Sequence, residues 1–264
     1  MINAQTQTQV ISDYKSEMAA MDESDKQERK QEADSYNAYV ANLEGNVTDE
    51  ITDEEKATGD VVYMSVMTTG EAIGYITIPK IDVELPIFRG ASDEVLAQGV
   101  GHLERSSLPV GGVGTHSVLS AHRGLPTSHL FRDLGKLSKG DIFVIDALDE
   151  KIAYEVESIN TVLPYEVESL RIQEDRDLCT LVTCDPYMIN SHRMLVTGHR
   201  VDYVETEVES ASVDQISFFE KYIEYFIIAG AFLLLAFISW LIRRRMKKAQ
   251  SQKTEQDQRG DLDE

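Results

Sequence analysis

Cysteine is scarce in this chain: two residues in 264, Cys179 and Cys184, exclude a scaffold built on disulfides. If both lie on one strand they cannot bridge each other, because five residues of strand span roughly 16 Å and the two side chains take opposite faces. At least one thiol is therefore expected to be free. Positive charge is also short, with 25 Lys and Arg against 46 Asp and Glu and a net charge of −21. Phosphate binding needs clustered cations, so nucleic acid is excluded as a partner. No Cys and His cluster has metal-ligand spacing. No apolar run opens the chain either, since MINAQTQTQV is polar and carries no signal peptide core. Export of the following residues is expected to rely on residues upstream of Met1, with a C-terminal span acting as a late insertion signal as the alternative.

The charge that is present is unevenly spread. Residues 1–60 hold fifteen Asp and Glu against five Lys and Arg, whereas Arg243 to Lys248 reads RRRMKK. Just before that basic run, Tyr225 to Ile242 (YFIIAGAFLLLAFISWLI) is eighteen residues without a charge, about the shortest helix that crosses a bilayer. A buried core helix would keep a polar stripe, and this segment has none. A transmembrane helix is expected over 222–242, with Tyr225 and Trp240 at the interfaces. The basic flank places the tail 243–264 in the cytoplasm and everything before the span outside the cell. A free thiol on an outward-facing domain points to a host that does without structural disulfides, such as a Gram-positive bacterium.

From about Gln7 to Glu44 the chain is rich in Glu, Gln, Lys, Ala and Asp, with Tyr14, Met18, Met21, Tyr36, Tyr39 and Leu43 at loosely helical spacing. Two helices lying on a domain surface are expected, the second capped by Ser24 and ended by Gly45. Residues 46–60, NVTDEITDEEKATGD, read as an exposed acidic loop. At Gly74 the character changes to GYITIPKIDVELPIF, whose alternating β-branched residues and prolines predict short strands ending in turns. Similar strands are expected at 117–120, 142–145, 152–156, 179–183 and 194–201. Without strand-helix alternation, a small barrel or sandwich is favoured over a parallel sheet. The domain plan is 1–70 helices and acidic loop, 71–206 β-domain, 207–221 linker, then the span and tail.

Among nucleophiles Cys184 stands out, because it ends the strand CTLVTC and precedes Asp185-Pro186, where the backbone must leave the sheet. An ordinary thiol is only a few per cent thiolate at neutral pH, so it needs a nearby base or cation to react. Cys179 lies inside the same strand and reads as a small buried hydrophobe. Six histidines are available as partners. His122 leads by its place at the exit of the strand HSVLSA, while His102, His116, His129, His192 and His199 stay open. Arg193 begins the strand after the Cys184 loop, and antiparallel pairing of those strands would bring the two together. A guanidinium there can stabilise a developing oxyanion.

TLVTC with an arginine nine residues later, SAHRGLP, and the run GVGHLERSSLPVGGVGTHSVLSAHRGL together resemble sortases, the cysteine transpeptidases of Gram-positive bacteria, and in particular the pilin-polymerising class C. The resemblance spans roughly Gly74 to Val201 and the C-terminal anchor. It implies an all-β fold, a closed eight-stranded β-barrel with N-terminal helices and a C-terminal transmembrane helix. It further implies that Cys184 attacks the Thr-Gly carbonyl of an LPXTG-like sorting signal, and that a pilin lysine amine resolves the thioacyl enzyme. His122 would be the acid and base, and Arg193 the oxyanion and substrate ligand, with no metal or organic cofactor. The partners implied are pilin subunits and the membrane. One departure stands out: the class usually carries a lid with an Asp-Pro-aromatic motif, and the expected region shows only NVTDEITDEE. Two other readings are kept, attachment of surface proteins to cell-wall peptide and a non-catalytic anchored assembly module.

Overall fold

The computed structural model describes residues 4–43, 63, 72–123 and 129–205, together with the single positions 227, 237 and 240. The chain divides into two compact units, Met1–Gln215 and Ile216–Glu264. Of the second, Ile227, Phe237 and Trp240 are helical and exposed, and the rings of Phe237 and Trp240 stack at 5.9 Å. The rest of the expected span 222–242 lies outside the described residues, as do the linker, the tail and the acidic loop 46–60. Among the described residues no helix is long and apolar enough to cross a membrane.

The first unit is built on eight strands: β1 (Ala72–Ile78), β2 (Val83–Arg89), β3 (Val100–His102), β4 (Thr115–Ser120), β5 (Ile142–Ala147), β6 (Glu150–Val162), β7 (Asp177–Asp185) and β8 (His192–Val201). They close into a barrel in the order β1-β2-β3-β4-β7-β8-β6-β5. Closure removes the edges that an open sheet would expose. The lack of strand-helix alternation argued for a small barrel or sandwich over a parallel sheet, and a barrel forms, although two of its pairs run parallel. The β2–β3 and β4–β7 pairs are parallel, in a sheet otherwise antiparallel. The β4 to β7 crossover is carried by the β5–β6 hairpin instead of a helix, so no strand-helix alternation announces it.

Side-chain alternation sorts each strand into an inner and an outer face. In β7, Cys179 and Leu181 point inward and join Leu119, Phe143, Tyr154 and Val196 in the main core. Phe143 and Tyr154 stack at 5.5 Å inside it. Val182, one residue on, points outward and meets Val118, Leu195, Leu170, Leu103, Val162 and Val167 in a second, smaller apolar cluster.

Helices α1 (Ala4–Ala20) and α2 (Glu23–Ala41) cover other parts of the barrel surface, as their spacing predicts. Tyr14 and Met18 of α1 and Tyr36 and Val40 of α2 are buried. The Tyr14 hydroxyl accepts from the Leu148 amide at 2.8 Å. The Asn37 side-chain amide helps fix α2: Oδ1 accepts from the Leu108 N–H at 2.7 Å and Nδ2 donates to the Leu108 carbonyl at 3.3 Å. The N-cap of α2 is Asp22 and not Ser24, whose hydroxyl instead donates to the Asp22 carboxylate at 2.6 Å. The cap falls there because the Asp22 carboxylate accepts from the Asp25 amide, three residues on. The helix is closed at Asn42, ahead of Gly45, which lies outside the described residues.

Candidate active site

Topology brings three strand ends to one rim. Parallel β4 and β7 finish on the same side, and β8 runs antiparallel to β7, so it starts where β7 stops. The last registered pair of β4 and β7 is Ser120 with Val182. Two residues further along both strands stand His122 and Cys184. On the other side of β7, Cys184 pairs directly with Arg193. Of the three residues chosen from the sequence, Cys184 and Arg193 are thus a registered pair, and His122 follows the end of β4 at the same rim.

They also share a face. Val118, Val182 and Leu195 belong to the outer apolar cluster, and His122, Cys184 and Arg193 follow or precede them by even steps along the same strands. The row thus lies at the end of an outer-face apolar strip. All three residues are half-buried, and Cys184 is a free thiol. Cys179, one face over, is free and buried; burial pushes its thiol well above the ordinary range, which keeps it protonated and inert. Arg193 donates from Nη1 to the carbonyls of Asn190 at 3.1 Å and His192 at 3.0 Å, leaving Nη2 and Nε without a partner among the described residues.

Backbone hydrogen bonds hold the row. The Ala121 N–H donates to the Val182 carbonyl at 3.1 Å, and the buried Thr183 hydroxyl donates to the Ala121 carbonyl at 2.8 Å. The His122 carbonyl accepts from the Phe131 amide at 3.1 Å. Immediately beyond the row, the Arg123 guanidinium forms an ion pair with Asp185 and also donates to the Cys184 carbonyl at 3.4 Å. From the sequence, Asp185 stands with Thr183 as a candidate for shaping the pocket without an assigned role, and Arg123 only as part of the stretch SAHRGLP. The available signal was their position, each one residue past a candidate residue at the end of adjacent strands.

The other histidines go elsewhere. His102 and His116 lie in strands and are fully enclosed, and burial pulls both below the usual imidazole range. His116 Nε2 bonds the Thr180 hydroxyl at 2.7 Å, which in turn meets Thr197 at 2.9 Å. His199 faces Glu157 at 3.3 Å, His192 bonds Ser191 at 2.9 Å, and His129 is exposed. Among the described residues no cluster of His, Cys, Asp and Glu is arranged to hold a metal ion.

With this geometry in view, comparison with known proteins is specific. The Sortase domain family matches residues 76–201, the barrel from β1 to β8. Sortase C1 of Streptococcus agalactiae superposes with a TM-score of 0.68 at 42% identity, covering 74% of this chain and 100% of that one. This chain belongs to the sortase family. Sortase C of Clostridium perfringens, whose structure includes the C-terminal cell wall sorting motif, gives a TM-score of 0.63 at 39% identity and covers 74% and 100%. Sortase D of Bacillus subtilis is 32% identical over 136 residues, 50% of this chain and 66% of that protein. This sortase therefore spans just under two thirds of that curated relative's length. The stretch NVTDEITDEE, residues 46–55, where the resemblance places a groove-covering lid, lies outside the described residues.

Proposed function

We propose that this sortase is a cysteine transpeptidase acting on LPXTG-like sorting signals, with Cys184 as nucleophile, His122 as acid and base, and Arg193 as the oxyanion and substrate ligand. The observation that carries the reading is the row itself: Cys184 stands between the strand leading to His122 and its own partner Arg193, on one outward face. The Cys184 thiolate attacks the Thr carbonyl, forming a C–S bond and an oxyanion that a guanidinium of fixed charge can stabilise. Collapse breaks the Thr-Gly C–N bond, and His122 gives its proton to the leaving amine. An incoming amine then loses a proton to His122 as it displaces the sulfur, which restores the Cys184 thiolate and protonated His122.

The acceptor we propose is a pilin lysine, giving an isopeptide bond and polymerised pili. Similarity to class C sortases along all of their crystallised length supports this acceptor over cell-wall peptide. The apolar segment 222–242, followed by RRRMKK, supports a single C-terminal span in the membrane of a Gram-positive bacterium, with the barrel outside. Incubating the protein with an LPXTG-type peptide and measuring intact mass tests the first step. The expected result is an acyl adduct on the wild type and none on Cys184→Ala. No adduct on a wild-type protein whose Cys184 alkylates freely overturns the reading. Adding purified pilin then separates the two acceptors.

A further inference from the structure

We infer that Arg123 and Asp185 form a positioning clamp that holds His122 beside Cys184, an inference that rests on the reading of those two as the reacting pair. The β4–β7 ladder ends at Ser120 and Val182, two residues short of the row. Past that point β4 has ended, and the last backbone bond to β7 is the one from Ala121 to Val182. The Arg123–Asp185 ion pair joins the two strands again, one residue beyond His122 and one beyond Cys184. The reacting residues are thus bracketed, by a backbone ladder before them and by a charged pair after them.

The clamp also grips the nucleophile's own peptide, because Arg123 Nη1 donates to the Cys184 carbonyl at 3.4 Å. Both side chains are largely buried, 18% exposed for Arg123 and 19% for Asp185. A pair so shielded is screened less than a surface pair and is held by its surroundings. Gly135 lies beside the guanidinium: a Cβ there would stand 3.6 Å from Arg123 Nη2 and 3.4 Å from Met194 Cε, ordinary packing distances. By alternation Asp185 takes the face opposite Cys184, so neither clamp residue needs to touch substrate. Their effect is on distance. Proton transfer requires His122 within hydrogen-bond reach, and a displacement of about 1 Å can cost on the order of a hundredfold in rate.

The test uses the full chain with Asp185→Asn, Arg123→Met and Asp185→Glu, and reads three quantities. They are the pH profile of Cys184 alkylation by iodoacetamide, the kcat and KM for an LPXTG-type peptide, and the unfolding midpoint. Buried Cys179 does not compete for the reagent. In Asp185→Asn and Arg123→Met, kcat is expected to fall at least about tenfold with KM nearly unchanged, as for loss of geometry without loss of binding. The alkylation profile should move toward that of His122→Ala, and Asp185→Glu, which keeps the carboxylate, should recover much of kcat. Wild-type kcat and profile in both neutralised variants would overturn the clamp. So would losses that track the unfolding midpoint and include Asp185→Glu, since those mark a purely structural role. If the wild type forms no peptide adduct but its alkylation profile still shifts on breaking the pair, the transpeptidase reading fails and the clamp stands.

Discussion

His102 should make this protein acid-labile, and the size of the effect follows from its surroundings. Its ring is fully enclosed in β3, with Nε2 against the Ser107 carbonyl at 2.9 Å and Nδ1 against the Tyr63 hydroxyl at 2.9 Å. The Ser107 bond requires Nε2 to carry the hydrogen, so Nδ1 accepts from Tyr63, whose oxygen accepts from the Gly90 N–H at 2.8 Å. Each partner is satisfied by neutral imidazole. Burial pulls its pKa from 6.5 to about 4, against a smaller opposing effect of the Ser107 carbonyl. The unfolded chain takes up this proton near pH 6.5 and the folded one only near pH 4. Between those values the unfolded state binds more protons, so stability is complete above 6.5 and is lost as pH falls toward 4. At about 1.4 kcal/mol per pH unit, the loss is about 2 kcal/mol at pH 5 and about 3 kcal/mol at pH 4. For a domain of this size, about 2 kcal/mol at pH 5 corresponds to about 4–8 °C in midpoint. The assay is thermal unfolding of wild type and His102→Gln at pH 7.5 and pH 5. The glutamine variant does not titrate, and carboxylates and His116 contribute alike to both proteins. The wild type should lose several degrees more than the variant on acidification; parallel losses would refute the assignment of His102 as a neutral buried group.

Three further outcomes are expected. Asn37→Ala removes both bonds to Leu108 and leaves its buried N–H unpaired, while the Leu108 carbonyl keeps the Val110 N–H at 2.8 Å; the loss should cost about 1–3 kcal/mol in urea unfolding and loosen α2 first in hydrogen exchange. Gly101→Ala places a Cβ 2.4 Å from the Gly90 carbonyl oxygen, so the β2–β3 pair must spread; a cost of at least about 2 kcal/mol should appear as a lowered urea midpoint. Thr183→Val keeps the shape of a fully buried side chain but strips the donor from the Ala121 carbonyl, for about 1–2 kcal/mol, and peptide turnover should fall by more than that loss of stability implies.

Much of the barrel was legible because its strands obey simple alternation. β7 shows it directly: Cys179 and Leu181 inward, Val182 outward, with a β-branched run between turn signals. The same logic singled out Cys184 at a strand exit and Arg193 at the next strand's start, and the structure pairs them. Other features escaped because they depend on distant partners. β6 runs on to Val162, well past the expected end at Val156, because the polar stretch Ser158-Ile159-Asn160-Thr161 is paired by β8 after a register shift between Val156 and Ser158. His102 lacks any strand signature, and only its ladder to β2 and β4 makes it one. The Arg123–Asp185 pair joins residues 62 apart and needs the parallel β4–β7 register, which no local pattern announces.

The parallel pair is also what ties this fold to its chemistry. Antiparallel neighbours would send β4 and β7 out at opposite rims and part His122 from Cys184 by the length of a strand. Parallel strands end together, and an antiparallel third strand begins at the same rim, so His122, Cys184 and Arg193, the proposed base, nucleophile and cation, stand at one rim. The cost is that His122 and Cys184 lie two residues past the last registered pair of β4 and β7, although Cys184 stays paired with Arg193 of β8. What replaces the ladder is a short set of bonds from residues that do not react: Ala121 to Val182, Thr183 to Ala121, Phe131 to His122, and Arg123 to Asp185. The groups between the reacting residues therefore set their spacing. Substitutions at Arg123, Thr183 and Asp185 should accordingly act on turnover through distance.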